Sequence, residues 1–167
     1  IDFCEESIEF NEGDSFIFNN IFLLKFLSFD IWPAHTTTVM IRNKIINNIG
    51  YFNPAIPNCD DMDFFVRIIM KYKIGFINEQ LGCYKKQRSR LTADIGRCYK
   101  AGVAYRKRLF HTEKYEKYLP KFRVPELLKS LKSKISQDYN ILGRYYLKRL
   151  EMFNAVKFYL LSTIYYF

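Results

Sequence analysis

The chain has 167 residues, enough for one domain with a real core or for a small domain plus an appendage. An apolar share of 49% excludes a disordered segment, and no apolar run reaches the ~20 residues of a membrane-spanning helix. The net charge of +9 is uneven: residues 1–63 carry 3 Lys/Arg against 10 Asp/Glu, and residues 64–167 carry 23 against 7.

The basic part suits an anionic membrane surface, a nucleic acid or a phosphorylated ligand; the plain alternative is a solvated face on basic helices. Cys4, Cys59, Cys83 and Cys98 lie far apart, with no CxxC pair and no nearby histidine. That spacing argues against zinc and for free thiols in a reducing cytosol. The chain opens at Ile1 without Met and closes on the apolar "LLSTIYYF", as expected of a piece of something longer.

In chain order, "IDFCEESIEF" interleaves β-branched and aromatic residues with acids, the pattern of an edge strand or hairpin arm. Residues 11–20 read as a loop around Gly13 and Asp14. "IFLLKFLSF" is a short apolar helix ending before Trp32-Pro33, and residues 36–42 are β-branched enough for a strand. "NKIINNIG" predicts one or two helical turns stopped by Gly50, and "YFNPAIPN", with two prolines, a loop. "KIGFIN" and "LGCYKKQ" read as two short strands. From Leu91 the chain turns helical, with a first long helix over 91–118 and a basic set beyond Pro120 and Pro125. Tyr139-x-x-Leu142-Gly143-x-x-Tyr146, followed by Ala155-x-x-x-Tyr159, has the order and spacing of a tetratricopeptide-like hairpin over 138–166.

The helix predicted from Asp61 to Tyr72 carries the sharpest local signal. Asp63, Arg67 and Lys71, four apart, form a narrow polar stripe on an otherwise apolar or aromatic cylinder. Asp63 and Arg67 are spaced to pair. Aspartates at a helix start accept orphan backbone N–H groups and favour the positive end of the macrodipole, so Asp60, Asp61 and Asp63 serve as caps on the simplest reading. Asp61, however, turns towards Phe65, Ile68 and Tyr72, and a carboxylate on an apolar face needs a partner or a cleft.

The run "TTTVMIRNKIINNIGYFNPAIPNCDDMDFFVRIIMKYKIGFINEQLGCYKKQRSRLT" resembles the C-terminal half of a family 2 glycosyltransferase catalytic domain over about residues 35–95. That family runs from a strand ending in arginine through a short helix, "iGgFde", an acidic loop, "EDyDlwlR" and a strand pair to "YR.h..S.S". The counterparts here are Arg42, Ile49-Gly50-Tyr51-Phe52-Asn53, Asp60 to Arg67, and Tyr84-Lys85. The resemblance implies a GT-A fold and transfer of a sugar from a nucleotide-sugar donor to an acceptor hydroxyl, in surface polysaccharide or glycan synthesis. It places Asp61 as the catalytic base and Asp60 as an acceptor contact, and leaves Asp63 and Arg67 structural.

Gln87 departs from the family, which often has His at that point. Arg88 and Arg90 are then the candidate cations for the donor phosphates, or else a solvated loop. His35 is the remaining substrate-binding candidate, with surface packing as its alternative. The nucleotide-binding strands and their Asp-x-Asp find no counterpart in residues 1–34. The divalent metal, Mn or Mg, is therefore expected in an intact parent and not on this chain's residues, and the chain alone is expected to be inactive.

The resulting expectation is an α/β chain: a partial GT-A-like domain over 1–118, short strands with helices, followed by an all-helical, basic appendage over 119–167. The donor and a glycan or lipid-linked acceptor would be met in the parent, which is expected in the cytoplasm, with peripheral contact to the inner membrane face through the basic tail. Two alternatives belong to other classes. One is a protein-interaction module built on the hairpin. The other is a basic nucleic-acid-binding domain resting on the interleaved "CYKAGVAYRKRLF", although no recognised motif supports nucleic acid as a partner.

Overall fold

A computed structural model describes residues 8–19, 21–27, 36–80, 82–83, 94–111, 115 and 117–166. It is a mixed, mainly helical structure with one small antiparallel sheet. Strands β1 (Ile8–Glu12), β2 (Ser15–Phe18) and β3 (Ile74–Ile77) lie in the order β1-β2-β3. Residues 15–18, expected in a loop, are the central strand. Glu12 pairs with Ser15, which leaves Gly13 and Asp14 as a two-residue hairpin loop. Gly13 has φ 57°, the conformation such a loop requires at its first central position.

Only one sheet face is buried. Phe16 pairs with Phe76 and Phe18 with Ile74, while Ile17 and Ile77 point to solvent. Helix α1 (Ile21–Leu27) covers that face, with the Asn19 side chain accepting the Ile21 N–H at its start. Phe18 stacks on Phe22 with ring centroids 4.3 Å apart. Phe22, Leu23, Leu24, Phe26 and Leu27 are all buried, so this helix is the centre of the core.

The strand expected over 36–42 does not form. Thr36–Thr38 is a single 3-10 turn, and the chain then runs irregularly to α2 (Asn43–Ile49). Threonine favours strands through packing on a neighbouring strand, and among the described residues none lies beside this segment. Gly50 ends α2 as expected, at φ 78° with its N–H on the Ile46 carbonyl. Of the second strand expected at 81–87, residues 81 and 84–87 lie outside the described residues, and Gly82 and Cys83 are irregular.

Helix α3 is Asp60–Ile69. The long helix expected over 91–118 is shorter, α4 (Ile95–Phe110), started by the Asp94 side chain accepting the Arg97 N–H. Pro125 does not break a helix. It sits in the first turn of α5 (Val124–Lys148), where its missing N–H costs nothing.

Helix α5 and helix α6 (Met152–Tyr166) form an antiparallel hairpin. Gly143 lies under the Tyr159 ring: a Cβ there would come within 3.0–3.1 Å of three ring atoms. Tyr146 and Tyr139 both stack on Phe158, and Ser136 and Ser162 exchange hydroxyl-to-carbonyl hydrogen bonds in the buried seam. Gly143→Leu is expected to force the helices apart and cost roughly 1–3 kcal/mol by overpacking, read as an earlier urea midpoint. An unchanged midpoint would show that the ring moves aside.

The apolar core continues across residue 119. Leu127 and Leu131 of α5 are buried with Phe18, Phe22 and Leu27 and with Tyr105 and Leu109 of α4. Further along α5, Val103 joins Ile135, Tyr139, Leu142 and Phe158. The "CYKAGVAYRKRLF" lysines serve this packing. Lys100 Nζ lies 4.9 Å from the Tyr146 ring centroid, and Lys107 lies over both Tyr139 (5.3 Å) and Tyr165 (5.0 Å). Among the described residues no helix is long and apolar enough to cross a membrane.

Candidate functional site at the start of helix α3

The chain reverses at Asn58, whose φ of 64° is tolerated by asparagine, and enters α3 through Cys59. Cys59 makes no side-chain cap. Asp61 takes that part. Asp61 Oδ1 accepts the Met62 N–H at 2.8 Å, one of the orphan donors of the first turn. Asp63 pairs with Arg67 Nε at 2.9 Å. Asp60, half-buried, makes no hydrogen bond or ion pair with any described residue.

Asp63 and Arg67 have a larger structural duty than their spacing alone predicts. Arg67 also donates through Nη1 to the Ile49 carbonyl and through Nη2 to the Tyr51 carbonyl (2.8 Å), clamping the end of α2 and the Gly50 turn against α3. Phe64 packs beneath, with Phe52 at 4.6 Å and the guanidinium at 5.5 Å from its centroid. Asp63 and Arg67 of the polar stripe thus form an interface, while Lys71 at its end is exposed. Arg67→Lys is expected to cost about 1–3 kcal/mol, because an ammonium cannot span two carbonyls and a carboxylate in one plane. The check is urea unfolding; equal stability of the Lys variant would refute the clamp.

Beside this turn lies a cavity of about 200 Å³, lined by Cys59 and Met62 of the α3 start, Cys98, Tyr99, Gly102 and Arg106 of α4, and Asp138 of α5. Arg106 and Asp138 form a buried ion pair on its wall. A Cβ at Gly102 would lie 2.8 Å from Arg106 Nη1, so any larger residue there would displace the guanidinium. Burial pushes the Asp138 carboxyl up to about 6, against the opposing pull of Arg106 and then Lys134. Burial likewise raises the Cys59 thiol to about 11, with Arg106 opposing and Asp61, Asp60 and Asp138 adding to the rise. That thiol is a packing group and not a nucleophile. Its electrostatic neighbours show that Asp60, Asp61, Arg106 and Asp138 converge on one region.

Of the candidates read from the sequence, Asp60 and Asp61 stand together on the first turn of α3, next to the cavity though not on its wall. His35, Arg88 and Arg90 lie outside the described residues, as do Tyr84, Lys85 and Gln87. Sequence reasoning missed Arg106 and Asp138. A signal existed: Asp138 occupies the register of Leu127, Leu131, Ile135 and Leu142, a carboxylate on an apolar face, the same criterion that singled out Asp61. Among the described residues no group of three or more His, Cys, Asp or Glu is placed to hold a metal ion.

Comparison of the chain with family models, with curated proteins and with solved structures finds no match.

Proposed function

We propose that this chain is the acceptor-side part of a nucleotide-sugar glycosyltransferase with a GT-A-like catalytic domain, working in surface polysaccharide or glycan synthesis. The observation that carries the reading is the run from Gly50 to β3. A helix stop at Gly50, a proline-containing loop, an acid-headed helix and a strand follow one another in the order of the family 2 motif. Asp60 and Asp61 stand half-buried at the head of that helix, beside a cavity.

In this mechanism the Asp61 carboxylate takes the proton from the acceptor hydroxyl as its oxygen attacks C1 of the donor sugar. The new C1–oxygen bond forms while the bond from C1 to the donor phosphate breaks, and the electron pair leaves with the nucleoside diphosphate. Asp60 orients the acceptor. The helix N-terminus and the Met62 N–H hold the Asp61 carboxylate in one rotamer, so that little reorganisation is needed at the reaction. Arg88 and Arg90 are assigned to the leaving diphosphate. The donor-binding strands, with a divalent metal that would offset the diphosphate charge, are assigned to the rest of a longer parent.

The test is release of nucleoside diphosphate when the full-length protein is incubated with a panel of uridine, guanosine and thymidine diphosphate sugars. Release with at least one donor supports the proposal, and release with none, in the presence of Mn or Mg, overturns it.

A second reading, an interaction module, is favoured by one specific feature. Helix α6 buries only Ala155, Phe158 and Ser162 and leaves most of its apolar side chains in solvent.

A further inference from the structure

Helix α6 is apolar on both sides. Its inner side packs on α5 through Ala155, Phe158 and Ser162. Its outer side presents Phe153, Val156, Leu160 and Ile164, exposed to 84%, 52%, 61% and 67%, in a row at helical spacing. Met152 and Leu150 extend this row around the α5–α6 turn. A soluble surface rarely keeps so many large apolar side chains in one contiguous patch without a partner.

The turn adds an independent observation. Leu150 follows the last turn of α5 with φ 60°, its N–H on the Leu147 carbonyl and the next N–H, of Glu151, on the Tyr146 carbonyl. This is the position where a helix end ordinarily places glycine. Here a leucine takes the strained conformation and is 84% exposed, so neither the backbone nor the core explains it.

Charge selects the occupant. The segment 119–167 carries 9 Lys/Arg against 3 Asp/Glu. Lys148 and Arg149 flank the tip, Lys157 lies in the exposed row, and Lys129, Lys132 and Arg144 are exposed on α5. Arg149 is paired with Glu151, and Glu126 and Asp138 are engaged with Arg123 and Arg106, so the remaining cations dominate the surface. A second copy of this chain would bring like charges together across a symmetric contact. An anionic bilayer complements both the apolar row and its basic flanks.

We infer that the outer face of α6, with the Leu150–Phe153 tip, docks this protein on an anionic lipid surface, the apolar row entering the headgroup–acyl boundary and the lysines meeting lipid phosphates. The inference does not rest on the glycosyltransferase reading.

The test is flotation of the full-length protein with vesicles of phosphatidylcholine, with and without phosphatidylglycerol, together with light scattering. The wild type is expected to float with the anionic vesicles, less so at high salt, and to be monomeric off them. The double variant Phe153→Glu, Leu160→Glu changes only exposed positions and is expected to keep its helicity and melting temperature while binding at least about tenfold more weakly. Leu150→Gly relieves the strained position, so it is expected to raise the melting temperature and yet reduce flotation. Failure of the wild type to float with anionic vesicles, undiminished flotation of the double variant, or a wild-type dimer that the double variant dissociates would each overturn the inference.

Discussion

Asp61→Asn in the intact protein is expected to lower sugar transfer by about 10²–10⁴-fold, the usual contribution of a positioned general base. The fold should be unaffected, because the amide oxygen of asparagine can still accept the Met62 N–H that Asp61 Oδ1 holds at 2.8 Å. The substitution therefore separates the proposed catalytic duty of this residue from its observed capping one. If Asp61 is only a cap, asparagine is as good a residue there and both rate and stability stay unchanged. Asp63→Asn is the opposite control. It weakens the pair with Arg67 and the clamp on the Gly50 turn, so it should lower stability while leaving the rate per folded molecule near normal. Asp60→Asn, at the proposed acceptor contact and with no side-chain partner among the described residues, should act mainly on KM. Steady-state kinetics with thermal melts on the three variants distinguishes these outcomes, and full activity of Asp61→Asn would remove Asp61 from the mechanism.

The largest effect on stability is expected at the Arg106–Asp138 pair. Asp138→Leu alone removes the carboxylate paired with the Arg106 guanidinium in the wall of the α3–α4–α5 cavity and should cost about 3–5 kcal/mol. Adding Arg106→Met should restore most of that loss, because two apolar side chains of similar volume need no desolvation. Asp138→Asn should be mild, since its amide oxygen still accepts from Arg106.

The pH dependence has a definite sign. The folded carboxyl titrates at about 6, above its ordinary value of 3.8. Between those values the folded chain binds more protons than the unfolded one, so stability falls as pH rises from about 4 to about 6. This group accounts for up to about 3 kcal/mol of that fall. The double variant Arg106→Met, Asp138→Leu should lack this slope. Urea unfolding at pH 4 and pH 7 measures it, and a slope retained in the double variant would assign it to other groups.

Much of the molecule follows from local sequence. The apolar "IFLLKFL" forms a helix, Gly50 stops the next one, Asp61 caps the start of α3, and Gly143 and Ala155 let α5 and α6 close together. Each is a property of a few neighbouring residues: a cap, a positive φ, or a small side chain at helical spacing. The pairing of Asp63 with Arg67 is legible for the same reason, lying one helical turn apart.

Only the tertiary structure decided the rest. Residues 15–18 became a central strand because β1 and β3 flank them, whereas the β-branched residues 36–38, with no neighbouring strand among the described residues, formed a turn. Arg67 reaching the Ile49 and Tyr51 carbonyls, and Arg106 reaching Asp138 from 32 positions away, are contacts whose partners are distant in sequence. They exist because the packing of α2 on α3 and of α4 on α5 brings these groups within reach of one another. The unburied side of α6 was equally hidden: a helix apolar all round carries no periodic mark of which face meets the core, so the position of α5 alone determined which side chains remain for another surface.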